Sequence, residues 1–194
     1  IKKLEKKKGD VKTNALLILK DILKETKAIR FEGNNYSDDW KKEAKKRGLF
    51  VVDTTPEALR YNLDPECIEL FEAFGVLSKR ELESRVEIKL DAFTNTKLVE
   101  YRQAINISRR DVLSAVLKQI NQLGEAQATL SDIDIQNSSV NNDIKTLSDL
   151  YAKIQKKKAT LKSFVLKVED IEDSYKRAYE IASKGTSLLH DLRD

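Results

Sequence analysis

Apolar residues recur at three- and four-residue spacing along most of the chain, a period close to one α-helical turn, and this predicts a mainly α protein. In the first segment Ala15, Leu16, Leu19, Ile22 and Leu23 share one face of a helix over residues 10–27, with Asp10 as its N-cap. Residues 28–31, Ala-Ile-Arg-Phe, read as a short extended piece, and Gly33, Asn34 and Asn35 as a turn. Ser37 then caps a helix over residues 38–47. Asp38 and Asp39 open it and Lys45, Lys46 and Arg47 close it, an order that suits the helix dipole, with Gly48 as the stop. Pro56 and Pro65 mark the first positions of two more short helices, begun by Thr54 and Asp64. The second carries Ile68, Leu70, Phe71 and Phe74 and stops at Gly75. Ser78-Lys79-Arg80-Glu81 is a capping box, opening a helix from residue 79 to 94 or beyond, as far as 105.

The second half has a plainer pattern. Val112, Leu113, Val116, Leu117, Ile120 and Leu123 make residues 108–124 an amphipathic helix, separate from the one before or continuous with it. Residues 131–142, rich in Asp, Asn, Ser and Gln, read as a surface loop. Residues 140–183 read as one long helix, because Ile144, Leu147, Tyr151, Ile154, Lys158, Leu161, Val165, Val168, Glu172, Tyr175, Tyr179 and Ala182 form a heptad seam with two charged interruptions. Leu150, Phe164 and Ile171 widen the stripe, which implies packing against two partners rather than a bare dimer seam. Gly185 is expected to break this helix, with Leu188, Leu189 and Leu192 in another short one. The pattern as a whole predicts an elongated helical bundle or helical hairpin with a smaller, mixed N-terminal part. The expected division is residues 1–107, short helices and turns, and residues 108–194, a long-helix hairpin.

Composition narrows the function. The 194 residues suit one domain, or one domain with an extension. At 40% hydrophobic and 35% charged, the chain supports a core and long helices with wide solvated faces. The 36 basic and 32 acidic side chains leave a formal net charge of +4, which favours solubility over a nucleic-acid footprint. The basic runs Lys6-Lys7-Lys8 and Lys156-Lys157-Lys158 have no interleaved aromatics. Cys67 is the single cysteine, so no intrachain disulfide forms and a reducing compartment fits. No apolar run approaches the roughly 20 residues of a membrane span. The chain opens at Ile1 without a signal-peptide pattern and contains no Met. The expectation is a cytoplasmic protein with neither nucleic acid nor membrane as partner.

Candidate chemistry is sparse. His190 is the single histidine, and nothing in the sequence places it beside Cys67. Glu169, Asp170, Glu172 and Asp173 cluster without the Glu-x-x-His motif of bundle metal sites, and read as a solvated face partnered by Lys167, Lys176 and Arg177. The glycines form no phosphate loop. Tyr36 and Trp40, near one helical face with Ala44, read as packing anchors. The residues expected to carry packing or interaction are Trp40, Tyr36, Leu147, Tyr151, Ile154, Leu161, Val165, Val168 and Tyr175. No catalytic, cofactor-binding or metal-binding residue is expected.

The segment over residues 30–49, Arg-Phe-Glu-Gly-Asn-Asn-Tyr-Ser-Asp-Asp-Trp through Lys-Lys-Arg-Gly-Leu, resembles a signature in the C-terminal part of type III glutamine synthetases. The resemblance continues through Thr54-Thr55-Pro56-Glu57-Ala58-Leu59 and Ile68-Glu69-Leu70-Phe71. It is strong again from Phe74-Gly75-Val76-Leu77 through Ser84-Arg85, and residues 101–107 are also similar. Specific similarity covers residues 15–123, with looser similarity to Asp194. Asn35 stands where the family has a second glycine, a replacement that suits a left-handed position. The stretch after Ile107 is shorter than the family pattern. The resemblance implies a parent enzyme of nitrogen metabolism that ligates ammonia to glutamate with ATP. Such enzymes pass through γ-glutamyl phosphate, use divalent Mg or Mn, and assemble as large double rings. Their metal, nucleotide and glutamate ligands lie mostly on a catalytic sheet preceding this region, so no ligand is carried over to these residues. The implied role is a C-terminal fragment, inactive alone, that packs on the remainder of its own catalytic domain and in a homo-oligomer. The alternative is a stand-alone helical interaction protein derived from that family.

Overall fold

The computed structural model describes residues 10–135 and 137–194, so the run Lys6-Lys7-Lys8 lies outside the described residues. Among them there is no strand, and the chain is mainly α. It divides into two compact units, Ile1–Val52 and Asp53–Asp194.

In the first unit, helix α1 (Val11–Glu25) starts where the Asp10 carboxylate accepts the Thr13 backbone N–H. The Thr13 hydroxyl also donates to it at 2.7 Å. Those two bonds, side chain first, hold the Asp10 carboxyl below its ordinary value. A 3₁₀ turn, Thr26–Ile29, takes over half of the stretch expected to be extended. The backbone N–H of Arg30 closes the turn on the Lys27 carbonyl at 3.3 Å, a local partner that a lone extended segment lacks. Helix α2 (Asp38–Lys46) is capped by Ser37, whose hydroxyl accepts the Trp40 N–H at 3.2 Å. Gly48, at φ 71°, lets Leu49 N–H reach the Ala44 carbonyl at 2.9 Å and ends the helix. The turn before α2 differs from its expected form, because Asn35 is not left-handed. Asn34 shapes it instead: its side-chain oxygen accepts the Tyr36 N–H at 3.0 Å, and its carbonyl accepts the Ser37 N–H and hydroxyl.

The second unit opens with α3 (Thr55–Arg60), capped by Thr54 with Pro56 in its first turn, and α4 (Pro65–Ala73). Asp64 precedes α4 in an extended conformation, but its side chain makes no capping bond. Helix α5 (Lys79–Ile107) begins at the expected capping box. The Ser78 hydroxyl accepts the Glu81 N–H, while the Glu81 carboxylate accepts the Ser78 N–H at 2.8 Å and its hydroxyl at 2.7 Å.

The Ser78 backbone bond, followed by the hydroxyl bond, holds the Glu81 carboxyl below the ordinary 4.5. A carboxyl depressed in the folded state contributes stability that is complete above its ordinary value and is lost as pH falls through the lowered one. The thermal midpoint is therefore expected to fall on acidification from about pH 5 to about pH 3. Glu81→Gln should remove part of that dependence in circular-dichroism melts; an unchanged pH profile in the variant contradicts the assignment.

A π-helical turn, Ser108–Val112, joins α5 to α6 (Leu113–Asp132), so the helix crosses residue 107 without a break. In place of the loop expected over residues 131–142, α6 continues to Asp132 and the next helix starts at Ser138. Ile135 N–H closes the end of α6 on the Leu130 carbonyl at 2.8 Å, and Asn137 caps α7 (Ser138–Glu169) by accepting the Ser139 and Val140 N–H groups. Of the polar residues that suggested a loop, Ser131 and Asp132 end α6, and Ser138, Ser139, Asn141 and Asn142 occupy the exposed start of α7.

The single helix expected over residues 140–183 is broken. After α7 the chain turns and restarts as α8 (Ser174–Glu180), which passes through a second π-helical turn, Ile181–Gly185, into α9 (Thr186–Arg193). Asp173 caps α8 through the Lys176 N–H at 2.6 Å. Arg177 fixes the turn by donating to the Ile171 carbonyl at 3.2 Å and to Asp91 on α5 at 3.0 Å. Gly185, expected to stop the helix, is itself helical at φ −63°.

The core of this unit lies where α5, α7 and the Ile181–Gly185 turn meet: Leu98, Tyr101, Leu161, Val165, Val168 and Ile181 form one buried cluster. Leu59, Val86, Leu90 and Ala178 form a second, which ties α3 and α8 to α5.

Candidate functional site

Residues 30–49 build a small packed motif from an aromatic pair and one guanidinium. The Phe31 ring stacks on Trp40 with centroids 4.3 Å apart, and the Arg47 guanidinium lies 6.0 Å from the first ring and 5.8 Å from the second. Arg47 also donates to the Glu43 carboxylate at 2.7 Å and to the Arg30 carbonyl at 2.6 Å, closing the motif across 17 residues. The bond from Arg47 is the main reason the Glu43 carboxyl sits below its ordinary value. Gly33 passes against the Phe31 ring, where an added Cβ would stand 2.7 Å from Cζ. Tyr36 does not join in. Its side chain is 96% exposed, which corrects the expectation that it anchors packing. It precedes the helix, and it is its backbone N–H, not its ring, that is engaged by the Asn34 turn.

Trp40 is the single tryptophan, so its emission reports this motif alone. Phe31→Ala is expected to shift that emission to the red and to remove about 1 kcal/mol of stacking. Unshifted fluorescence contradicts the stacked geometry.

In the second unit, Leu161, Val165 and Val168 are buried on α7, while Leu147, Tyr151 and Ile154 nearer its start are partly covered. Tyr175 is also partly covered, with the Tyr179 ring 6.2 Å away and the Arg60 guanidinium 5.4 Å away. Beyond Val168 the predicted seam loses its phase. Ala178, Ile181 and Gly185 are buried, whereas Glu172 and Tyr179 are exposed. Residues not singled out from the sequence hold the centre. Tyr101 is fully buried and donates its hydroxyl to the Ile181 carbonyl at 3.3 Å. Burial pushes its phenol pKa up. An added Cβ on Gly185 would lie 2.3 Å from the Tyr101 hydroxyl oxygen and 2.7 Å from Cζ, so the glycine makes room for the ring. The signal for Tyr101 was in the sequence: Leu82, Val86, Leu90, Thr94 and Leu98 recur every four residues, and Tyr101 ends that buried stripe.

The acidic cluster at the end of α7 has partners other than those expected. Glu169 pairs with Arg102 of α5, Asp173 is a helix cap, and Arg177 goes to Asp91. Cys67 is half-buried and His190 exposed. Among the described residues no group of three or more His, Cys, Asp or Glu side chains is placed to hold a metal ion. No helix among them is long and apolar enough to cross a membrane.

The sequence profile of the family described as glutamine synthetase C-terminal domain matches residues 15–131, which include the aromatic motif, α5 and nearly all of α6. A glutamine synthetase of Butyrivibrio fibrisolvens is 34% identical over 103 residues, 51% of this chain and 15% of the relative. A glutamine synthetase of Bacteroides fragilis (strain YCH46) is 29% identical over 116 residues, 60% of this chain and 16% of the relative. A type-3 glutamine synthetase of Dictyostelium discoideum is 35% identical over 109 residues, 56% of this chain and 15% of the relative. The match thus spans only 15 to 16% of the length of these relatives.

Proposed function

Because the chain belongs to the glutamine synthetase C-terminal domain family, we propose that it is the C-terminal part of an ATP-dependent glutamate–ammonia ligase. In this reading it packs on the remainder of its own catalytic region and in a homo-oligomer, and carries out none of the chemistry itself. The observation that supports the packing role is the apolar stripe of α1. No residue of that helix is buried, and Leu16, Leu19, Ile22 and Leu23 are 40 to 67% exposed although they lie inside the family match. A helix of this length is marginal in water unless its apolar face is covered.

ATP and divalent Mg or Mn belong, in the same reading, to the rest of the enzyme. A cytoplasmic setting in nitrogen metabolism follows from the same proposal.

The test of the non-catalytic role is an assay of this 194-residue chain with glutamate, ammonia, ATP and Mg²⁺. Phosphate release and glutamine formation should stay at the blank. Turnover above the blank, lost on removing glutamate or ammonia, overturns the reading.

A further inference from the structure

The basic side chains of α7 are unevenly placed. Residues 150–168 carry Lys153, Lys156, Lys157, Lys158, Lys162 and Lys167 and not one Asp or Glu. Beside this stretch runs a groove of about 590 Å³ between α5, α7 and α9. Ala104, Ile107, Leu150, Ile154, Leu189 and Leu192 line it with apolar surface, and Lys153, Lys157 and Arg193 stand among them. Ile107 is 53% exposed and Leu150 44%, so large apolar side chains face water here. The π-helical turn contributes: Ile107, Ser108 and Val112 all line the groove, with the Ser108 hydroxyl bonded to the Ala104 carbonyl.

Three cations line the groove, Lys153, Lys157 and Arg193, against two carboxylates. Among the described residues Lys153, Lys157 and Arg193 make no ion pair, although Lys157 is half-buried. The two carboxylates are Glu100, already held by Lys97 at 2.8 Å, and Asp194.

The geometry points to a docking site for an acidic amphipathic helix of a protein partner. Such a helix would set apolar residues at i, i+3 or i+4 and i+7 on the groove floor and carboxylates against Lys153 and Lys157, which are one helical turn apart. A concave apolar trough accepts inserted side chains, whereas a membrane surface needs a projecting apolar face. No aromatic side chain lines the groove to stack nucleobases. This site goes beyond the packing role and does not depend on family membership.

The probe is a fluorescein-labelled synthetic helix of about 18 residues with Leu at helical spacing and Glu along its flanks. Its scrambled form, its Lys-for-Glu counterpart, vesicles of phosphatidylcholine with phosphatidylserine, and single-stranded DNA serve as comparisons. Fluorescence anisotropy should show the acidic helix binding, with the scrambled and Lys forms bound at least about 10-fold more weakly. Lys153→Glu with Lys157→Glu should weaken it by about 10-fold or more. Leu150→Asp, at an exposed position, should weaken it as well, with helical content checked by circular dichroism. Binding no tighter than that of the scrambled peptide overturns the proposal. So does affinity unchanged in these variants, or engagement of vesicles or DNA without the acidic helix.

Discussion

Gly185→Ala is expected to destabilise the second unit by about 3 kcal/mol, through overpacking against a ring that has nowhere to go. For a chain of this size that is a fall of roughly 6–12 °C in thermal midpoint. The added methyl would stand 2.3 Å from the Tyr101 hydroxyl oxygen, 2.7 Å from Cζ and 2.8 Å from Cε2. Tyr101 is fully buried, and Phe164 packs edge-on against it with centroids 6.3 Å apart, so the ring cannot swing out to solvent. The same substitution at Gly124, an exposed position of α6 with no atom near the added Cβ, should instead stabilise by about 0.5–1 kcal/mol. In a Tyr101→Phe background, which lacks the closest contacting atom, Gly185→Ala should be less damaging. Differential scanning calorimetry of the four variants checks the set. Equal effects at the two glycines would show that Gly185 is an ordinary helical glycine.

Leu161→Ala is the second large effect, with an expected loss of about 2–5 kcal/mol. Leu161 is fully buried in the cluster that joins α5 to α7, beside Tyr101, Val165 and Ile181, so its deletion leaves a cavity that rigid neighbours cannot fill. Leu150→Ala, on the same helix but 44% exposed, should stay within about 0.5 kcal/mol of the parent. Urea unfolding followed by far-ultraviolet dichroism separates the two. A similar midpoint for both variants contradicts the burial pattern along α7.

Local signals were legible wherever a few neighbouring residues settle the backbone. The Asp10, Ser37 and Thr54 caps, the Ser78–Glu81 box and the glycine stops at positions 48 and 75 all involve partners within a few positions in sequence. The breaks in the second half were not legible, because distant residues decide them. The heptad pattern runs on through Glu172 and Tyr179, yet Arg177 reaches Asp91, 86 positions away, and turns the chain between α7 and α8. Gly185 looks like a helix stop from its neighbours alone, while its reason for being glycine is Tyr101, 84 positions earlier. The packing residues divide in the same way. Leu161, Val165 and Val168 follow from periodicity, but Tyr36 was misplaced because its proximity to Trp40 in sequence does not survive the Asn34 turn.

The aromatic motif and the buried stripe of α5 both lie within the family match, and their charged groups serve mainly as caps, ion pairs and ring contacts. In the proposed role this segment is a scaffold. Sedimentation velocity of the intact enzyme, with and without the exposed Leu16, Leu19 and Leu23 of α1 changed to Ser, tests that role most directly. A shift to smaller species with reduced glutamine formation is the predicted result; an unchanged oligomer with unchanged activity would contradict it.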